Sequence, residues 1–193
     1  MGKLIVTNMV SLDGYFEGPD GNVMALPFDH MFDPYCAERL RAAETMVVGA
    51  KSYQGFQSYW PPIADNPDAA PDEREVSRLL NAIPKLVISD SLPESPAGPW
   101  AGATRVVRRA DAHKRIDEAK RAAERDVVVF ASHVLWNDLL AAGLVDELHL
   151  IVGAGIVGGG TPAFTTPPPG GLRLLGTRTW EGSHNVVLQY AAG

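Results

Sequence analysis

The sequence predicts an α/β domain: a central mixed, mostly parallel sheet with helices on both faces and an antiparallel hairpin at its C-terminal end. Three observations carry this. Short strand-like runs alternate with segments of helical period as far as Gly143. The clearest run, Val127-Val128-Val129-Phe130, is continuously apolar, as a parallel strand covered on both faces must be. After Glu147 the strand-like runs follow one another with no helix between them. At about 150 residues per domain, the 193 residues form one domain spanning 1–193.

The first strand is expected over 3–10, ending in the turn Ser11-Leu12-Asp13-Gly14. Glu17-Gly18-Pro19-Asp20-Gly21-Asn22 is a cluster of turn residues that should form a long loop over the mouth of any site. Residues 28–43 read as an amphipathic helix, because Met31, Phe32, Tyr35, Cys36 and Leu40 recur at three- and four-residue spacing. Met46-Val47-Val48 is a strand stopped by Gly49, and a helix over 51–59 opens directly from it. Residues 61–71, rich in Pro, Asp and Asn, form a surface excursion. Asp72 then caps a helix of about ten residues, with Glu75 three positions on as in a capping box. Strands follow over 85–89 and 104–108, a helix over 111–125, the strand 126–130, and a helix capped by Ser132 and closed by Gly143. Strands over 148–152, 172–180 and 185–190 complete the chain.

Composition excludes several functions. With 46% apolar and 21% charged residues the chain can bury a core and is not of disordered type. Seventeen basic against 23 acidic residues, a net charge of −6, argue against broad nucleic-acid binding. The single Cys36 has no partner for an intramolecular disulfide, the start does not resemble a signal peptide, and no apolar run is long enough to span a bilayer. A cytoplasmic protein without membrane contact is expected. His30, His113, His133, His149 and His184 are scattered without metal-ligand spacing, so no metal site is expected. The serine-hydrolase elbow, the phosphate loop of nucleotide triphosphatases and the dinucleotide fingerprint are all absent.

In sheets of this kind ligands bind beyond the carboxyl ends of the parallel strands. Those ends are Ser11 to Gly14, Gly49 to Ser52, Ser89 to Ser91, Ala131 to Ser132 and Gly153 to Gly160. Gly49-Ala50-Lys51-Ser52 sets a glycine, a cation and a hydroxyl at a helix start, where free N–H groups favour an anion; it also fits a glycine that merely ends a strand beside an exposed lysine. Gly158-Gly159-Gly160-Thr161 lets backbone approach a ligand closely, or is simply a flexible turn. Asp13 and Asp29 are the acids nearest the first loop and helix. Either could deliver a proton from a partly apolar cleft, and either could instead cap its turn or helix.

Six segments in this order resemble the RibD C-terminal domain family of reductases, which shares the dihydrofolate reductase fold. They are Ser11-Leu12-Asp13-Gly14; Val48-Gly49-Ala50-Lys51-Ser52-Tyr53-Gln54-Gly55-Phe56 with Tyr59-Trp60-Pro61; Lys85-Leu86-Val87-Ile88-Ser89; Val129-Phe130-Ala131-Ser132; Gly143-Leu144-Val145-Asp146-Glu147-Leu148-His149-Leu150; and Gly158-Gly159-Gly160-Thr161-Pro162-Ala163-Phe164. Leu26-Pro27-Phe28-Asp29 is also similar to the segment where dihydrofolate reductases place the acid that holds the pterin.

The resemblance implies an NADPH-dependent reductase acting on a pyrimidine, pterin or related heterocycle. The family's reference activity is reduction of 5-amino-6-(5-phosphoribosylamino)uracil in riboflavin biosynthesis. It implies cofactor phosphates on Gly49, Lys51 and Ser52 and on Ala131 and Ser132, adenosine near Ser89, and nicotinamide beside Gly158, Gly159, Gly160 and Thr161. Asp13 or Asp29 would bind substrate or supply the proton, and a homodimer is expected. Ala50 stands where the family usually has a phosphate-contacting arginine, Ala131 where it has a glycine, and Gly153-Ala154 where it has a proline-containing segment. The alternatives are a dihydrofolate reductase and a non-catalytic binding or dimeric scaffold on the same fold.

Overall fold

A computed structural model describes all of residues 1–193. Its frame is an eight-stranded sheet. In chain order the strands are β1 (Leu4–Ser11), β3 (Ala43–Gly49), β4 (Lys85–Ile88), β5 (Thr104–Val107), β6 (Asp126–Phe130), β7 (Glu147–Gly153), β9 (Leu172–Arg178) and β10 (Val186–Ala192), and across the sheet they run β5-β4-β3-β6-β1-β7-β10-β9. The first six of that order pair in parallel; β10 runs antiparallel to both β7 and β9. The mostly parallel sheet with a C-terminal hairpin is therefore as the sequence predicts. No helix is long and apolar enough to cross a membrane.

Alternation along each strand sends successive side chains to opposite faces. Leu4 and Val6 of β1, with Val127 and Val129 of β6, pack against Ile116 of α4 (Ala112–Ala122) and Trp136, Leu139 and Leu140 of α5 (His133–Ala141). Val128 and Phe130 turn the other way, to Cys36 and Leu40 of α1 (Phe32–Ala42), Tyr53 of α2 (Ala50–Tyr59) and Val76 and Leu80 of α3 (Pro71–Ala82). Every β1 residue is buried, since this strand is covered on both faces.

Several boundaries move for local reasons. The helix expected from residue 28 starts at Phe32, because the Asp29 carboxylate accepts from the Met31 N–H at 3.1 Å and the Asp29 carbonyl from the Phe32 N–H at 3.1 Å, holding a turn ahead of it. In α3 the first helical residue is Pro71 and Ala70 is the N-cap, so Asp72 lies within the first turn rather than capping it. Proline's fixed φ and missing N–H suit that first position better than any other. Ser132 does stand at the N-cap of α5, yet its hydroxyl makes no bond to its own helix. The ribbon of β2 (Tyr15–Glu17) with β8 (Thr161–Pro162) was not expected; it ties the loop after β1 to the glycine-rich segment.

Candidate active site

The carboxyl ends of β1, β3 and β6 face two neighbouring cavities. The larger is a polar groove of about 1030 Å³. One wall comes from the β3–α2 turn with Gly49, Lys51 and Ser52, and a second from the β6–α5 turn with Ala131, Ser132 and His133. Arg109, just beyond β5, lies on its margin, and Glu17 and Thr161 of the β2–β8 ribbon close it.

The two turns are latched together. The Gly49 N–H donates to Ser132 Oγ at 3.0 Å, and the Ser132 N–H donates to Ser52 Oγ at 3.0 Å. Both hydroxyls act only as acceptors in these bonds, so each keeps its own O–H to donate. The N-terminal N–H groups of α2 and α5 lack intrahelical partners in the same region. Two helix starts, two hydroxyl protons and Lys51 offer the groove positive and donor groups of the kind anions bind; Arg109 stands beside them with its Nε 3.7 Å from the Asp90 carboxylate, and Glu17 and Asp138 are the acids on the same lining.

Ala131 (φ 47°) and Ser132 (φ 57°) both occupy the left-handed region. For side chains with a Cβ this costs roughly 1–2 kcal/mol per residue, and such strain persists where surrounding structure imposes it. Here the latch imposes it on one side. On the other, Asn8 Nδ2 donates to the Ala131 carbonyl at 3.3 Å.

The second cavity, of about 220 Å³, lies between β1, α1, α2 and α3. Its lining is apolar except for Thr7, Asn8 and Asp33. Asp33 projects from the first turn of α1, half-buried. Burial pushes its carboxyl above the ordinary value, and the negative charges of Glu73 and Asp72 push it the same way. Phe16, Val23, Phe56 and Ala131 line both cavities and so form their junction. The Phe16 ring rests on His133 with centroids 5.0 Å apart.

Of the residues singled out in the sequence, Gly49, Lys51, Ser52, Ala131, Ser132 and Thr161 come together on the groove. Ser89 does not: it is buried, and its hydroxyl accepts from the N–H groups of Ser91 and Leu92 to shape the turn after β4. Gly158, Gly159 and Gly160 also lie outside both walls. Gly160 (φ +125°) has a local reason to be glycine, since a Cβ there would come within 2.2 Å of the Glu17 carbonyl oxygen.

The two candidate acids line neither cavity, and each is hydrogen-bonded elsewhere. The Asp13 carboxylate accepts from the N–H groups of Val157 (3.1 Å) and Gly158 (2.8 Å). The Ser11 hydroxyl, then these backbone groups, hold its pKa down to about 2, leaving no proton to deliver at neutral pH. Asp29 receives the Ser183 hydroxyl at 2.6 Å besides its cap on Met31. Burial alone would raise its pKa, but those hydrogen bonds and neighbouring His30 outweigh it, and the net direction is downward.

Asp33, Thr7 and Arg109 are the additions. A signal for Asp33 exists in the sequence: Cys36 and Leu40 follow at +3 and +7, so the acid sits on the apolar stripe of its helix. Arg109 follows the end of a parallel strand as surely as Gly49 does, and the same strand-end rule reaches it.

With this geometry in place, the sequence profile of the RibD C-terminal domain matches residues 2–188. The chain belongs to that family. Its fold is shared with a pyrimidine reductase-like protein from Corynebacterium diphtheriae (TM-score 0.67, 15% identity, 100% of this chain and 92% of that one). A diaminohydroxyphosphoribosylaminopyrimidine deaminase/5-amino-6-(5-phosphoribosylamino)uracil reductase from Thermotoga maritima is equally similar (TM-score 0.67, 10% identity), and there all of this chain spans 57% of the other. A dihydrofolate reductase from Enterococcus faecalis complexed with NADP(H) follows (TM-score 0.63, 16% identity, 98% and 96% covered). No curated protein matches the chain significantly in sequence.

Proposed function

We propose that the protein is a reductase that binds NADPH along the polar groove and reduces a planar nitrogen heterocycle held in the apolar cavity. The observation that carries this reading is the shared wall of Phe16, Val23, Phe56 and Ala131, which brings a dinucleotide-sized groove edge to edge with an apolar cavity containing one carboxyl. The chemistry a bound NADPH would supply is hydride donation to the carbon of a C=N bond. The chain's own part is to bind, orient and exclude water. The helix starts of α2 and α5 and the Ser52 and Ser132 hydroxyls hold diphosphate oxygens. Lys51 and Arg109 supply the positive charge that Ala50 does not, and their charge favours NADPH over NADH through the extra phosphate. Phe16 and Phe56 flank the place where the two ligands meet. Asp33, with its carboxyl raised by burial, holds an N–H edge of the acceptor and passes the proton that the reduced nitrogen requires.

The direct test titrates the protein with NADPH and with NADH, following nicotinamide fluorescence. Saturable binding that favours NADPH, weakened in Lys51→Ala and Arg109→Ala, supports the reading. Absence of binding for both nucleotides at millimolar concentration sinks it.

The homodimer belongs to the same reading. Strand β9 is the sheet's edge, with Leu172, Leu174 and Leu175 exposed, and an edge that pairs antiparallel with its own copy closes a two-fold assembly. Light scattering of the native chain against Leu174→Lys measures this: a dimeric mass that falls to 20.7 kDa in the variant is the expected result.

A further inference from the structure

We propose that His133 is a proton-gated anion contact in the groove: a phosphate-bearing ligand binds there with uptake of one proton at His133 Nδ1. The inference rests on the nucleotide reading of the groove for the identity of the ligand, but its argument comes from the partners of the ring itself.

His133 is the first residue of α5, and its half-buried ring lines the groove beside Ser132. The ring is held on three sides. Phe16 of β2 rests on it with centroids 5.0 Å apart, and Trp136 of α5 meets it edge-on at 5.7 Å. Its Nε2 lies 2.8 Å from the Pro162 carbonyl oxygen and 3.1 Å from that of Ala163.

Those two carbonyls fix the tautomer. A carbonyl oxygen only accepts, so Nε2 carries its hydrogen whether the ring is neutral or charged. The proton that a histidine gains or loses between about pH 5 and 8 is therefore, in this ring, the one on Nδ1. That atom has no hydrogen-bond partner in the protein and is not shut away from solvent. With the rest of the ring occupied, Nδ1 is left to the groove. In the neutral ring it presents a lone pair, which repels the oxygens of an anion. In the charged ring it presents an N–H and a positive charge, while the two carbonyl dipoles at Nε2 favour that charged form.

The charged groups that share the groove lining with His133 are Lys51 of α2, Glu17 of β2, Arg109 beyond β5, His113 of α4 and Asp138 of α5. Most are already engaged. Glu17 accepts from the Thr161 hydroxyl at 2.8 Å, Arg109 lies 3.7 Å from the Asp90 carboxylate, and His113 and Asp138 pair with each other at 2.6 Å. His133 bonds only to carbonyls, so an incoming anion is the charge partner it can gain. Lys51 then supplies a constant charge to the groove and His133 a variable one.

Calorimetric titration of the full chain with NAD⁺ tests this from about pH 8 down to about pH 5.5, a range that spans histidine titration and in which the diphosphate of NAD⁺ gains no proton. Native affinity is expected to rise about tenfold on acidification, the worth of one charge-assisted contact. The accompanying proton uptake is read from the heats in buffers of different ionisation enthalpy. His133→Gln, whose amide can still donate to the two carbonyls, should keep the native affinity at the alkaline end and lose the rise, whereas His113→Gln should keep the rise. A flat native profile, or a rise that survives in His133→Gln, overturns the proposal. Nitrogen NMR of the native ring gives a reading that needs no variant. A protonated Nε2 in the neutral form, and a titration midpoint moved upward by NAD⁺ or by sulfate, support the proposal; a bare Nε2, or a midpoint that neither anion moves, overturns it. Absence of both NAD⁺ and NADPH binding alongside a midpoint raised by sulfate overturns the reductase reading and leaves this assignment standing.

Discussion

The polar groove and the apolar cavity share a wall but are made of different material. The groove takes many of its polar groups from strand ends, helix starts and a pair of serines that latch two turns together. The cavity is almost wholly side chain, gathered from β1, α1, α2, α3 and the loop after β2. A site made of backbone is specified by where elements begin and end, and tolerates changes such as alanine at position 50. A site made of side chains is specified by packing between distant segments, and a single residue such as Asp33 can define its chemistry.

That difference predicts unequal sensitivity, and the largest effect belongs to the cavity. Asp33→Asn is expected to lower kcat for the heterocyclic acceptor by about 10²–10⁴, the usual worth of a positioned proton-transfer group, with the NADPH dissociation constant unchanged. Steady-state kinetics beside a fluorescence titration separate the two. An equal loss of cofactor affinity would break the comparison by showing that the two cavities are one functional unit.

The same difference explains what could be read in advance. The sheet, its parallel order and the C-terminal hairpin were legible because hydrophobic period and turn residues act locally. So were Gly49, Lys51, Ser52 and Ser132, which lie at element boundaries that the sequence marks. Asp13 and Asp29 were legible as acids near the right loop, but their roles depend on partners 144 and 154 residues away, Val157 and Ser183. The Thr7 hydroxyl gives no sequence signal, because an unpaired buried group is defined by what fails to surround it. Asp33 and Arg109 do carry sequence signals, an acid within an apolar helical stripe and a cation just beyond a strand end.

Lys85 sharpens the comparison from the cavity side. Its buried ammonium donates to the carbonyls of Leu80 (2.5 Å) and Ile83 (2.7 Å) at the end of α3, the helix that brings Val76 and Leu80 to the cavity. It also lies 4.3 Å from the centroid of the Trp100 ring. Burial pushes its pKa down to about 8 from 10.5. Below pH 8 the lysine is protonated in both states and the burial cost is present in full. Between pH 8 and 10.5 the unfolded chain holds more protons, so this group's contribution makes stability rise with pH, by at most about 3 kcal/mol. Denaturant unfolding across that range should show the rise in the native chain relative to Lys85→Met. Parallel curves for the two proteins would contradict it.

The groove predicts smaller losses, because its binding is spread over many groups. Lys51→Ala should weaken NADPH about tenfold, the worth of one charge-assisted contact, and Arg109→Ala less, since the Arg109 guanidinium already lies 3.7 Å from the Asp90 carboxylate. NADH affinity should move less than NADPH affinity, since the cations are assigned to the extra phosphate.

Ala131 belongs to both cavities, and its prediction is the smallest and the most discriminating. With φ at 47° it occupies a conformation that glycine adopts without penalty. Ala131→Gly relieves strain in the folded state but gives the unfolded chain more freedom to lose. The first effect is about 1–2 kcal/mol and the second about 0.4–1 kcal/mol, so a net gain of at most about 1.6 kcal/mol is expected, read as a higher midpoint in denaturant unfolding. Removing the methyl group also widens the wall between nucleotide and heterocycle, so NADPH affinity should rise or hold. A stabilised variant with weaker binding of both ligands would show instead that the Ala131 methyl is a contact surface, and that the junction, unlike the rest of the groove, is built from side chains.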